Sequence, residues 1–229
     1  MPPEAPTRAP WHLALMLALT FSTGIVDAVG YLGLDRVFTA NMTGNVVILG
    51  MALTGSEDLP ILGPVLALLG FLAGAAVVGR VLRRAAKGWT TASTVVFAVV
   101  GVALGALAAV VAALPGVPVE AGSTPPAAAL VVTTALGVVM GGQAAAARRL
   151  AVKDVTTVVV TSTLTGLAAD SRLAGGDGAG WRRRVGAVAL ILAGAAVGAA
   201  LLRWHVGAGL ALAGLITVVV AGLGHRKAR

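Results

Sequence analysis

The sequence contains no cysteine, so disulfides, thiolate metal sites and cysteine nucleophiles are excluded. Charge is scarce as well. Asp, Glu, Lys and Arg make up 11% of the chain, against about 25% in a soluble domain. The histidines are His12, His205 and His225. They lie near the ends of apolar segments and share no metal-ligand spacing. There is also no nucleophile motif, no glycine-rich phosphate loop and no metalloprotease helix. These absences lead us to expect neither an enzyme nor a metal or cofactor.

Hydrophobic residues, by contrast, make up 58% of the 229 residues, and 31 positions are glycine. So small a protein cannot hide that much apolar surface inside itself, so it must face lipid. Abundant glycine suits membrane helices that pack backbone to backbone. The net charge of +8 does not indicate nucleic acid, because the basic residues sit between apolar runs, where they set membrane orientation. No nucleic-acid partner is expected; the lipid bilayer is.

Six apolar segments are long enough to cross a bilayer, which takes about 20 residues: Trp11–Leu34, Ile61–Leu82, Thr91–Leu114, Ala127–Ala147, Val185–Leu202 and Val206–Gly224. The first is too long for the core of a signal peptide and no Ala-x-Ala site follows it, so it reads as a retained span. Two further segments, Val37–Leu53 and Val155–Ala169, are shorter and carry threonine and asparagine. The tryptophans Trp11, Trp89, Trp181 and Trp204 fall near segment ends, as an interfacial belt predicts.

The halves of the chain resemble each other. Thr39, Thr43 and Gly44 stand in Thr-Ala-Asn-Met-Thr-Gly, and the same frame returns at Thr161, Thr165 and Gly166 in Thr-Ser-Thr-Leu-Thr-Gly. Leu-Ala-Gly-Ala-Ala-Val occurs at both Leu72–Val77 and Leu192–Val197. If all eight segments crossed, the 17 basic residues would divide almost evenly between the two sides. If both short segments enter and leave on one side, all but Arg36 and Arg203 fall on the cytoplasmic side, as the positive-inside rule demands. A seven-span version satisfies that rule equally well; the likeness of the halves favours six.

The expectation is a single all-α membrane domain over residues 1–229. It has about six transmembrane helices plus two short polar re-entrant or broken segments. Two inverted repeats, about 11–114 and 127–224, would form it. The setting would be a bacterial inner membrane, with the C-terminus and the N-terminus cytoplasmic.

Asp27 is the one acidic residue well inside a long apolar span. A carboxylate there costs about 2.5–3.5 kcal/mol on insertion scales, so something must offset it: a polar cavity, a cation, a proton, or a hydrogen bond that locks helices together. The two Thr-x-x-x-Thr-Gly segments are where backbone could break and line a cavity. Equally, their threonines could bond back to their own helices. Asn41 and Asn45 flank the first motif, and Gln143 lies in the fourth of the long segments. The candidate substrate- or ion-binding set is therefore Asp27, Thr39, Asn41, Thr43, Gly44, Asn45, Gln143, Thr161, Thr165 and Gly166.

The stretch Thr23-Gly24-Ile25-Val26-Asp27-Ala28-Val29-Gly30-Tyr31, followed by Phe38-Thr39-Ala40-Asn41-Met42-Thr43-Gly44-Asn45, resembles the YoaK-like family of bacterial membrane proteins. Arg148-Arg149-Leu150, Asp154-Val155-Thr156-Thr157 and Thr163-Leu164-Thr165-Gly166 extend the resemblance through the second half. It implies a permease-like protein whose domain has no assigned function. The chain departs from the family pattern at Ala144, where an Asn is expected after the glutamine.

These features suggest a small secondary transporter of an unidentified solute, open to proton coupling, with a midplane site at the repeat interface. The alternative is a non-transporting scaffold or assembly partner in which Asp27 is structural. Oligomeric state stays open; dimerising is one way for so small a chain to gain lipid-sheltered area.

Overall fold

The computed structural model describes residues 10–55, 59–86, 88–113, 119, 124–150 and 160–229. Within them lie α1 (Pro10–Gly33), α2 (Met42–Ala52), α3 (Leu62–Leu82), α4 (Thr91–Ala113), α5 (Ala127–Leu150), α6 (Val160–Ala169), a 3-10 turn at Arg172–Ala174, α7 (Trp181–Leu202) and α8 (Val206–Ala228). Six of these helices are long and apolar enough to cross a membrane. Where lipid offers no hydrogen bonds, the backbone must satisfy itself, and a helix does so within one segment. At about 1.5 Å per residue, the 11 residues of α2 reach only about 16 Å, well short of the hydrocarbon thickness.

Three helices run beyond the apolar windows read from the sequence into basic residues. α5 continues through Arg148 and Arg149 to Leu150, α7 begins at Trp181, taking in Arg182–Arg184, and α8 continues through Arg226 and Lys227 to Ala228. Hydropathy falls where the basic residues begin, yet the helical hydrogen bonds continue. Long basic side chains lift their charge toward water while their stems stay on the helix. Of the expected segment Val155–Ala169, residues 155–159 lie outside the described residues.

The helix ends sort into two sets. At one end the amide of Val119 donates to the carbonyl of Gly33 at 3.0 Å, and Gly33 backs onto Leu202 and Val206. Gly63, at the start of α3, meets Val37 there. At the other end the rings of Trp11 and Trp89 lie 5.9 Å apart, and Gly224, near the end of α8, faces Trp89. Here Arg149, ending α5, donates to the carbonyls of Arg83 and Ala85 beyond α3, at 3.1 and 2.6 Å. The chain therefore leaves α1 and enters α3 at the same end, and leaves α5 and enters α7 at the opposite end. Neither short helix crosses. This six-crossing arrangement is one of the two that basic-residue placement allows, and the one that the likeness of the halves favours.

Packing follows the membrane pattern of small residues inward and large apolar residues outward. The most extensive contacts are α3 with α5, α4 with α8 and α1 with α7. A side chain on Gly74 would strike the carbonyl of Val138, and one on Gly141 that of Phe71. Gly194 and Gly24 stand in the same relation to Phe21 and Ile191. Gly101 and Gly214 meet each other's carbonyls, at the centre of the α4–α8 contact. Leu69, Leu72, Val77 and Val81 of α3 are exposed, as lipid-facing residues are. α1 is buried over 61% of its spanning window, α3 over 22% and α7 over 17%, so α1 is central and the other two are flanking.

The tryptophans divide. Trp181 and Trp204 are exposed near helix ends, as a belt requires. Trp89 is buried, donates its indole N–H to Thr94 at 2.8 Å and stacks on Phe97. Its role is core packing at that end, because Gly224 leaves room for its ring.

Single cysteines in this cysteine-free chain test the topology. Cysteines placed at Leu53, Ile61 and Trp204 should react with a membrane-impermeant maleimide from one side of the membrane, and at Arg84 and Leu173 from the other. Tyr31 and Ile61 labelling from opposite sides would make α2 a crossing. The packing has its own test. Gly74→Leu or Gly141→Leu should destabilise the bundle by about 1–3 kcal/mol, the usual range for overpacking. Gly105→Leu, where nothing lies within 4 Å, should leave thermal stability nearly unchanged.

Candidate functional site

Everything polar around Asp27 follows from how α1 ends. Leu34 closes the last turn on the carbonyl of Gly30, and Arg36 reaches back to that of Tyr31 at 3.0 Å. Asp35 and Arg36 then take the left-handed conformation, with φ of 59° and 55°. Non-glycine residues seldom adopt it, at a cost of roughly 1–2 kcal/mol each. The chain runs on without helical bonds until Met42, and its amides need acceptors from elsewhere.

Asp27, one and a half turns before the end of α1, supplies them. Its Oδ1 accepts three successive backbone N–H groups, from Thr39 at 3.0 Å, Ala40 at 2.7 Å and Asn41 at 3.3 Å. Asn45, one turn into α2, closes the other side of the loop. Its Oδ1 accepts the Phe38 amide at 2.9 Å and its Nδ2 donates to the Phe38 carbonyl at 2.6 Å. Asn41 caps α2 through the Gly44 amide at 3.4 Å. Gly44 itself lies under the Phe38 ring, which a side chain would displace, and that ring stacks on Tyr31 at 4.8 Å. The motif thus folds an irregular loop against α1, each residue with a separate task.

A second polar contact lies one turn back along α1. Thr23 donates to the Leu19 carbonyl at 2.9 Å and accepts Gln143 Nε2 of α5 at 3.2 Å. Two polar atoms of this cluster are buried with no partner, Gln143 Oε1 and Thr39 Oγ1. Thr39 is wholly buried and packs against Gly30, on the same stretch of α1 as Asp27.

Of the residues singled out in the sequence, the structure brings together Asp27, Thr39, Asn41, Gly44 and Asn45, with Gln143 one turn away. Thr43 is exposed. α6 touches α7 and the 3-10 turn among the described elements, and not α1, α2 or α5. Thr161 and Thr165 are exposed, and the Thr165 hydroxyl donates back to the Thr161 carbonyl at 2.9 Å. The Gly166 carbonyl accepts the Arg184 guanidinium, which also pairs with Asp170 at 2.7 Å. Gly166, like Gly44, leaves room for a large group, here that guanidinium. Thr23 was the residue to add: it is four positions before Asp27 and so on the same face of α1. Among the described residues no three His, Cys, Asp or Glu side chains are grouped to hold a metal.

Asn45→Leu should unpair both the amide and the carbonyl of Phe38. A buried unsatisfied group costs about 1–3 kcal/mol. Thermal unfolding in detergent should therefore shift well below that of Thr43→Ala, whose exposed side chain carries no such duty.

Over residues 15–223 the chain matches the family described as "Protein of unknown function (DUF1275)". It is similar to the UPF0700 transmembrane protein YoaK of Bacillus subtilis (strain 168), at 46% identity over 68 residues, a stretch spanning 30% of each chain. No solved structure matches it. Its own six long apolar helices and this match across most of its length make the chain a membrane protein of the DUF1275 family.

Proposed function

We propose that this protein is a small secondary transporter of the cytoplasmic membrane, built from two inverted halves, whose solute site adjoins the break between α1 and α2. One observation carries the reading: a non-helical stretch inside the bundle is held by a buried carboxylate, with two buried polar atoms beside it that have no partner. Non-helical backbone at such a place is the feature around which inverted-repeat transporters build their sites.

The packing supports the duplication. One shift along the chain takes Phe21 to Val138 and Gly24 to Gly141, and a second takes Phe71 to Ile191 and Gly74 to Gly194. These shifts carry the contact of Gly74 with Val138 onto that of Gly194 with Phe21, and the contact of Gly24 with Ile191 onto that of Gly141 with Phe71. Gly101 and Gly214, each against the other's carbonyl, sit where a two-fold axis would pass. The two short helices at opposite ends fit the same scheme, as does the basic charge collected at the Trp11 end, which we assign to the cytoplasm. The chemical site is one-sided, since Ala144 stands where the second half would need an acid.

A second reading has one observation in its favour. Asp27 already has three internal donors, as the carboxylate of a purely structural lock would. Reconstitution separates the two. Liposomes loaded with a pH-sensitive dye are pulsed with neutral sugars, amino acids, short carboxylates and inorganic anions. One class should evoke proton movement above protein-free liposomes, reduced at least about tenfold by Asp27→Asn, in line with loss of a group acting at the reacting step. If no class does so with folded protein, the transporter reading falls and the lock remains.

A further inference from the structure

Three consecutive amides aimed at one oxygen, just before a helix N-terminus, form an anion-binding nest. In this protein the nest is filled from within. The amides of Thr39, Ala40 and Asn41 converge on Asp27 Oδ1, and α2 begins at the next residue with its N-terminal dipole behind them. The nest is more than the carboxylate uses: the Thr39 hydroxyl, on the first of its three residues, is fully buried and has no partner.

We propose that this nest is the seat of a small oxyanion, occupied by the Asp27 carboxylate when no solute is bound and released when Asp27 takes up a proton. The inference rests on the transporter reading and names its solute class. The exclusion is electrostatic. A second anion at contact distance from an ionised carboxylate, in a site shielded from water, loses affinity on the order of a thousandfold. A protonated Asp27 removes that repulsion. Its remaining carbonyl oxygen is also a weaker acceptor than a carboxylate, so the three N–H groups become available to the incoming anion. One proton and one anion then share the site, and the pair enters with no net charge.

α5, α7 and α8 present Gln143, Ile191, Gly194, Gly198, Ala213 and Thr217 to α1, none of which titrates. Asp35 and Arg36 lie in the connecting loop, and Arg203 and His205 stand at the same end of the bundle. His205 Nδ1 accepts the Gly207 amide at 3.0 Å, so that nitrogen is engaged as a cap for α8.

Scanning fluorimetry on the full-length protein in detergent tests this, with nitrate as the probe because it does not titrate. Formate and phosphate follow, to separate carboxylate from phosphate recognition. Gluconate at equal ionic strength is the control. The wild type should bind nitrate saturably, with an affinity that rises by up to about tenfold per unit fall in pH while the carboxylate titrates. Asp27→Gly, which empties the nest, should bind nitrate or formate at pH 8 as tightly as the wild type does in acid, and without pH dependence. Should the glycine variant fail to fold, Asp27→Asn takes its place, since a permanently neutral side chain must also abolish the pH dependence.

A wild-type response that ignores pH overturns the proposal, as does a folded Asp27 variant that no oxyanion stabilises. Failure of the transporter reading looks different. Proton-linked nitrate binding without solute movement in liposomes would keep the seat and remove transport. Transport of sugars with no anion response would keep transport and remove the seat.

Discussion

The three hydrogen bonds from Thr39, Ala40 and Asn41 to Asp27 solve two problems at once. An ionised carboxylate on a membrane-spanning helix needs donors, because lipid provides none. A loop that has left the helical pattern inside the bundle needs acceptors for the same reason. Each is costly alone, and together they offset one another. The left-handed pair Asp35 and Arg36, the Asn45 clamp on Phe38 and the glycine under the Phe38 ring are all arrangements that bring the loop to that carboxylate.

Around this point the bundle is held mainly by proximity. Between helices in lipid there is no hydrophobic driving force, and association comes from close packing and scattered hydrogen bonds. Gly24, Gly74, Gly141 and Gly194 let backbones touch along the α1–α7 and α3–α5 contacts, while larger side chains are turned outward. Ser22, bonded to the Ala213 carbonyl at 3.2 Å, adds a polar tie between α1 and α8. α1 is therefore both the most enclosed helix and the one that carries the carboxylate. Changes there are the ones most able to reach the rest of the bundle.

The same geometry gives the proposed function its chemical direction. A buried acid alone points to protons or cations, and a helix N-terminus alone points to anions. Those pulls oppose each other when the residues are read separately. Their meeting on one oxygen turns the opposition into exclusion, and exclusion relieved by a proton is a coupling mechanism. α6 makes no such contact with α1 among the described residues: its Thr161 and Thr165 are exposed, and Arg184 ties it to α7. The proposed duplication is thus structural, with the chemistry on one copy.

Much of this was legible in the residues themselves. Apolar runs of crossing length mark the six spanning helices, and the basic clusters between them disfavour eight, because hydrocarbon thickness and charge placement act on the chain locally; six against seven rested on the likeness of the halves. The importance of Asp27 was equally readable, since an acid within such a run needs compensation whatever the fold. The sequence could not say what compensates it. Thr39, Ala40 and Asn41 serve Asp27 through backbone amides, which every residue except proline possesses, so side-chain identity carries no trace of the contact. Likewise Thr39 and Thr161 occupy matching frames, but one is buried against α1 and the other exposed on α6. Only the packing of distant helices made that distinction, because burial is a property of the assembled bundle and not of the segment.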